Sequence, residues 1–277
     1  MDIDLWSPRL VAGISAGEEG EFPASQDAML ARLCRAKQRG ADILATPTGH
    51  ASQVLLQKAG LEGEMEQVNT TLVQLTRQAA GTDGLVAGTL APAGLELEPY
   101  GEASFTELMA IYRAQGSCLA KAGVDCFLVE TSSALQYARC AVLALRKLKL
   151  PILASVRLDQ DGELRHGGTA LNALTVLQAL GVSAFGLRGD YDREDLEEMV
   201  EGLAQMAKVP LMVQPAKYRM EGEDLCPLTQ QELKTHCKRL LELGATLLYC
   251  AAGGERLSVP AQAVKEFAAA GKPHGPA

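Results

Sequence analysis

Eight short aliphatic or β-branched runs, each followed by a helical pattern, constrain this chain more than any other feature. They fall near Leu10 to Ile14, Ala41 to Thr46, Gly84 to Leu90, Val124 to Thr131, Pro151 to Leu158, Ala184 to Arg188, Pro210 to Gln214 and Ala245 to Cys250. Four junctions share one local grammar: Arg39-Gly40-Ala41-Asp42, Ala122-Gly123-Val124-Asp125, Leu180-Gly181-Val182-Ser183 and Leu243-Gly244-Ala245-Thr246. A glycine there suits the left-handed residue that ends a helix before a buried strand. Two helix starts, Ser104-Phe105-Thr106-Glu107 and Thr229-Gln230-Gln231-Glu232, have capping-box spacing, in which hydroxyl and carboxylate each satisfy a free backbone N–H. The strands are apolar on both faces, as expected when helices cover one side and a packed interior fills the other. The pattern predicts an α/β fold, a single-domain (β/α)8 TIM barrel over residues 1–277, in preference to an open doubly wound sheet. The last residues, 271–277, read as a flexible tail.

Composition narrows the function classes. Hydrophobic residues make up 47% of the chain and aromatic ones 4%, so the core is built mainly from Leu, Ala, Val and Ile. A net charge of -8 argues against a nucleic-acid partner, because phosphate binding needs clustered Lys and Arg. No run approaches the roughly 20 apolar residues of a membrane span, and the start, MDIDLWSPRL, lacks the basic-then-apolar order of a signal peptide, so a cytoplasmic location is expected. Seven cysteines, an odd number with no CxxC pair, fit reduced thiols better than a disulfide framework.

Chemistry on such a barrel belongs at the C-terminal ends of the strands. The segments from Gly13 to Gln26 and from Ala216 to Leu228 read as loops on that rim. Glu130, directly after Phe127-Leu128-Val129, is the outstanding residue. A carboxylate there either binds a ligand's amino group or acts as a base, or it pairs with a rim arginine, Arg157 or Arg188. His50 reads as a solvated rim-loop histidine and Lys217 as a solvated loop charge, and His166, His236 and His274 as loop, helix and tail residues. There is no GxGxxG, Walker loop or HExxH.

The strand ends then carry a resemblance. Gly40-Ala41-Asp42-Ile43-Leu44-Ala45-Thr46-Pro47-Thr48 is similar to the second-strand sequence Gly-Ala-Asp-Ile-Ile-Glu-Thr-Asn-Thr of the homocysteine S-methyltransferase family. Val86 to Pro92, with Leu97-Glu98-Pro99 after it, resembles the third strand, and Ala122 to Thr131 the fourth. The resemblance implies a (β/α)8 barrel holding zinc through three cysteine thiolates, one after strand six and an adjacent pair in a Gly-Gly-Cys-Cys-Gly-Thr turn after strand eight. Zinc would hold the homocysteine sulfur as a nucleophilic thiolate, to which methyl passes from a folate, corrinoid, betaine or sulfonium donor.

At those positions this chain departs from the pattern. Gly244 to Gly254 aligns without a gap to the eighth-strand turn and places Ala251 and Ala252 where the paired thiolates belong. Gly189, in Gly186-Leu187-Arg188-Gly189-Asp190, stands at the third. Ala12-Gly13-Ile14-Ser15 stands in place of the first-strand Asp-Gly-Ala-Met-Gly-Thr element, and Pro47 replaces a rim asparagine. A site rebuilt from Cys250, His50 and Asp190 is disfavoured: Cys250 is one residue early, and a one-residue shift turns a side chain to the opposite face of its strand.

Zinc is therefore not expected, and no catalytic residue is assigned. The resemblance and the rim positions together nominate Glu130, Thr131, Thr46, Thr48 and Arg188 as substrate contacts, Arg188 as a fixed positive charge favouring an anionic ligand. Three functions stay open. One is a zinc-free methyl-transfer barrel using a small-molecule ligand such as a corrinoid or tetrahydrofolate, with a corrinoid protein as partner. The second is a non-catalytic ligand-binding or scaffolding barrel. The third is an ordinary zinc-dependent homocysteine S-methyltransferase.

Overall fold

A computed structural model describes residues 3–13, 25–130, 134–159, 162–222, 224–251 and 255–271. Strands β1 (Arg9–Gly13), β2 (Ile43–Ala45), β3 (Leu85–Leu90), β4 (Cys126–Glu130), β5 (Ile152–Arg157), β6 (Ala184–Arg188), β7 (Leu211–Val213) and β10 (Ala245–Ala251) close into one parallel barrel. The order is β1-β10-β7-β6-β5-β4-β3-β2, so closure is made by β1 beside β10, in register from Arg9↔Leu247 to Gly13↔Ala251. The predicted (β/α)8 barrel is the fold observed, with every predicted strand present and each end within a few residues. Helices α1 (Gln26–Gln38), α2 (Gln53–Lys58), α3 (Met65–Ala80), α4 (Phe105–Ala122), α5 (Leu135–Leu145), α6 (Ala170–Ala179), α7 (Arg193–Ala204), α8 (Gln230–Glu242) and α9 (Ser258–Ala269) lie between and after the strands. None of the described helices is long and apolar enough to cross a membrane. The tail, 272–277, and most of the first rim loop, 14–24, lie outside the described residues.

The four junction glycines do what their spacing demands. Gly40, Gly123, Gly181 and Gly244 have φ of 103°, 93°, 87° and 113°, values an L side chain resists. The polar residue two positions later has a second task. Asp42 Oδ2 accepts the Leu10 N–H at 2.8 Å, Asp125 Oδ2 accepts the Val86 N–H at 2.7 Å, and Ser183 Oγ accepts the Ile152 N–H at 3.2 Å. Each also donates its own N–H to the carbonyl of that same residue, at 2.9, 2.8 and 2.7 Å. One short sequence element thus ends a helix and clips the next strand to its neighbour at the barrel floor. Asp125 carries the heaviest load because Arg77 Nη2 also reaches it, at 2.7 Å. Asp125→Ala leaves the N–H of the fully buried Val86 without its acceptor, so a loss of about 2–3 kcal/mol is expected, with Asp125→Asn milder. Urea denaturation measures both, and equal, negligible losses would contradict the role.

Both capping boxes form: Glu107 N donates to Ser104 Oγ at 3.2 Å and Ser104 N to Glu107 Oε2 at 2.8 Å, with the same exchange between Thr229 and Glu232. Two apolar layers result. The larger lies between strands and helices, and a smaller one, including Val11, Ile43, Ala87, Leu128, Leu153, Met212 and Leu247, fills the barrel interior. The interior packs with few large groups. A Cβ on Gly186 would lie 2.7 Å from both Met212 Cε and Ser155 Cβ, so the glycine makes room for the methionine.

The rim segment 216–228, expected as a loop, contains an antiparallel hairpin, β8 (Tyr218–Glu221) with β9 (Asp224–Pro227). Its signal is the alternation in Tyr218-Arg219-Met220-Glu221, too short to stand out beside the barrel strands. Charge pairing along one face, Arg219 with Glu221 and with Glu232 of α8, fixes it to the barrel.

Candidate functional site

Side-chain parity determines what enters the barrel mouth. Along β4, Cys126 and Leu128 point inward, so Glu130 does too; along β6, Ala184 does, and so Arg188; along β10, Leu247 and Tyr249 do. These alternate strands are the set that a barrel of this kind stacks into one interior layer. Arg188 Nη1 lies 2.7 Å from Glu130 Oε1, the two side chains being 25% and 18% exposed. The same guanidinium carbon sits 4.2 Å from the centroid of the Tyr249 ring. The phenol hydroxyl is hydrogen-bonded to Glu130, and burial first, then the charge of Glu130, pushes the Tyr249 pKa well above its ordinary value. The phenol is therefore a protonated donor. Its ring fits only because β1 ends in glycine: a Cβ on Gly13 would lie 2.0 Å from the Tyr249 hydroxyl oxygen.

The choice left open between arginines is thus resolved. Arg188 takes Glu130, while Arg157 Nη2 takes Asp190 Oδ2 at 2.8 Å. Lys217, expected as a solvated loop charge, is 56% exposed and lies 3.0 Å from Asp190 Oδ1, and its hydrogen bond is the main cause holding that carboxyl below its usual range. The Arg188 guanidinium is held in place, matched by Glu130 and covered by Tyr249. Some bonding capacity in the mouth remains unspent. Among the described residues, Arg188 Nε and Thr89 Oγ1 are buried without a hydrogen-bond partner, and Glu130 Oε1 has its ion pair but no aligned donor.

Two of the other nominated contacts are engaged with the neighbouring strand. Thr46 and Thr48 are buried and form a closed relay: Thr89 N donates to Thr46 Oγ1 at 3.0 Å, the two hydroxyls are 2.7 Å apart, and Thr48 Oγ1 donates to Thr89 O at 2.7 Å. With the Thr48 proton spent on Thr89, Thr46 is the donor between them. The pair staples the end of β2 to β3 and has no donor left for a ligand. Thr131 lies outside the described residues. His50 has a buried Nδ1 with no partner among the described residues. Tyr249 is the site residue the rim reading passed over, although the parity that turns Cys250 outward necessarily turns Tyr249 in.

A tris-thiolate zinc does not fit the residues present. A Cβ on Gly189 would come within 2.4 Å of the Tyr191 ring. That ring is pinned, its hydroxyl donating to Arg188 O at 2.7 Å and accepting from Leu158 N at 3.0 Å. Ala251 supplies no ligand and Ala252 lies outside the described residues. Cys250 packs against the outer layer, its thiol pushed up by burial to about 12. Among the described residues, no three His, Cys, Asp or Glu side chains are grouped to hold a metal ion.

His236, read as a helix residue, proves to be a buried anchor of the rim. Its Nε2 accepts the Ala216 N–H at 3.1 Å, so the proton sits on Nδ1, 2.7 Å from Glu197 Oε1. Burial outweighs the pull of Glu197 and lowers the pKa of the ring. A second ring proton would face a backbone N–H. A group whose folded pKa is depressed stabilises above its unfolded value, and that contribution fades as pH falls below about 6.5. Melting curves across pH 7 to 5 should show His236→Gln losing this part of the slope; an unchanged slope would contradict it.

Residues 26–254 match the family described as homocysteine S-methyltransferase. Betaine–homocysteine S-methyltransferase 1 of Sus scrofa is 29% identical over 191 residues, 65% of this chain and 66% of that protein. S-methylmethionine–homocysteine S-methyltransferase BHMT2 of Rattus norvegicus is 26% identical over 216 residues, 76% and 54% of the two chains. Methionine synthase of Mycobacterium tuberculosis is 27% identical over 136 residues, 47% of this chain but 11% of that one. The matches thus span 11% to 66% of these relatives. In solved structures, the metallated homocysteine methyltransferase MmuM from Escherichia coli superposes with a TM-score of 0.74 at 18% identity, over 94% of this chain and 96% of that one. A Xanthomonas albilineans dihydropteroate synthase follows at 0.58 and 14% identity, over 96% and 93% of the two chains, and both likenesses bear on fold alone. With residues 26–254 accounted for in this way, the chain belongs to the homocysteine S-methyltransferase family.

Proposed function

We propose that the barrel mouth is a zinc-free site for methyl transfer, binding a small methyl donor or acceptor such as a pterin, a corrinoid or an anionic metabolite. The observation that carries this reading is the Glu130–Arg188–Tyr249 arrangement inside the mouth, with Gly189 and Ala251 at the thiolate positions. Glu130 accepts an N–H or O–H from the ligand, and Arg188 Nε and Thr89 Oγ1 offer donors. Thr131 keeps its nomination by resemblance, while Thr46 and Thr48 hold strands together. Without a metal to lower a thiol pKa, an acceptor must be nucleophilic already or lose its proton to a base, and Glu130 is the carboxylate within the mouth. A corrinoid protein is the proposed partner.

A second reading, a binding barrel without turnover, draws on one observation: Arg188 already satisfies Glu130 from inside the protein. Metal analysis combined with thermal-shift screening of corrinoids, tetrahydrofolates, betaine and homocysteine tests the proposal. A ligand at a hundred times its Kd stabilises by about 2.7 kcal/mol, readily seen as a rise in Tm. Expected are no stoichiometric zinc and a stabilising ligand whose effect is lost in Glu130→Gln. Stoichiometric zinc with chelator-sensitive methylation of homocysteine would overturn the proposal, and stabilisation without transfer of labelled methyl would favour the second reading.

A further inference from the structure

The ring of Tyr249 and the carboxylate of Glu130 together have the chemistry of a cation cage, an aromatic face beside a negative charge in a desolvated setting. We infer that Arg188 fills this cage from within the protein, so that the mouth rejects small cationic ligands and takes neutral or anionic ones. The inference deepens the proposed function and rests on the mouth being the ligand site.

Topology makes the cage a built feature rather than a chance surface contact. In the strand order β10-β7-β6-β5-β4, the strand bearing Arg188 stands two away from the strand of Tyr249 and two from that of Glu130. The side chain therefore crosses the interior in both directions, 4.2 Å over the ring and 2.7 Å from the carboxylate. Tyr249 is 4% exposed, and its place depends on the missing Cβ of Gly13. A tethered guanidinium competes at an effective concentration on the order of mM or above, which a free cation of similar affinity must exceed. A second cation beside it would also meet the positive charge of Arg188 with the one cage carboxylate already matched. The unspent groups are compatible with this: Arg188 Nε and Thr89 Oγ1 can donate to an anionic or neutral ligand, and Glu130 Oε1, its charge already matched by Arg188, can still accept from a neutral one.

Emptying the cage tests this. Titration calorimetry with tetramethylammonium and with methylguanidinium, on the wild-type chain and on Arg188→Ala, should show at least tenfold tighter binding to the variant. The gain should vanish in Arg188→Ala/Tyr249→Leu and in Arg188→Ala/Glu130→Gln. Equal binding to wild type and Arg188→Ala, or a gain that survives loss of Tyr249, would overturn the inference. Should Arg188→Ala fail to fold unaided, its refolding yield with and without methylguanidinium reads the same occupancy; a yield indifferent to the cation counts against the cage. The donor panel on the wild-type chain is read separately. A filled cage with an inert panel removes only the proposed function, and a panel hit without the cation gain removes only the cage.

Discussion

Arg188→Met lowers the stability of the folded chain by about 2–3 kcal/mol, and adding Glu130→Gln recovers most of that loss. The asymmetry follows from what each change leaves behind. Methionine still covers the Tyr249 ring but leaves the Glu130 carboxylate, 18% exposed, without its counter-charge. Breaking a fully buried pair from one side costs roughly 3–5 kcal/mol, and partial exposure here moderates it. Replacing both charges removes the desolvation penalty together with the attraction, so the double variant sits closer to wild type than the single one. Chemical denaturation of the four proteins in the cycle gives the coupling directly. A double variant no more stable than Arg188→Met would show that Glu130 and Arg188 act independently and would dismantle the site as described.

Placing cysteines where the family resemblance puts its zinc ligands, as Gly189→Cys/Ala251→Cys/Ala252→Cys, is expected to lower stability and to yield no zinc site. A Cβ at position 189 meets the Tyr191 ring at 2.4 Å, and that ring is anchored at both Arg188 and Leu158. Overpacking of this kind costs about 1–3 kcal/mol. Were zinc to bind at a hundredfold excess over its Kd, it would raise stability by about 2.7 kcal/mol, so the two outcomes have opposite signs. Melting temperatures with and without zinc, alongside metal content, separate them. One zinc per triple-variant chain would show that the loss of thiolates was the whole of the change.

Much of the frame was legible because it is decided locally. A helix ends at Gly40, Gly123, Gly181 or Gly244 for reasons contained in a few residues, and a capping box is complete within four. Family membership was legible from the residues flanking those points, and so was the outward turn of Cys250, since a strand's period of two needs no knowledge of its neighbours. The hairpin at 218–227 was missed because its alternation is short and interrupted by a turn. Thr46 and Thr48 were placed among the ligand contacts because they follow a strand; nothing local says that their hydroxyls close a relay with Thr89 on the next strand.

By itself the sequence determined eight repeats, their order, the side of each strand on which a residue lies, and the absence of cysteine from positions 189, 251 and 252. Barrel closure decided the rest. It brought Arg188, not Arg157, across the interior to Glu130, passed Arg157 and Lys217 to Asp190, and laid the Tyr249 ring against Gly13. Residues from 27 to 236 positions apart along the chain met there because strand registry is set by the packing of the whole ring, and no local rule of propensity or spacing carries that information.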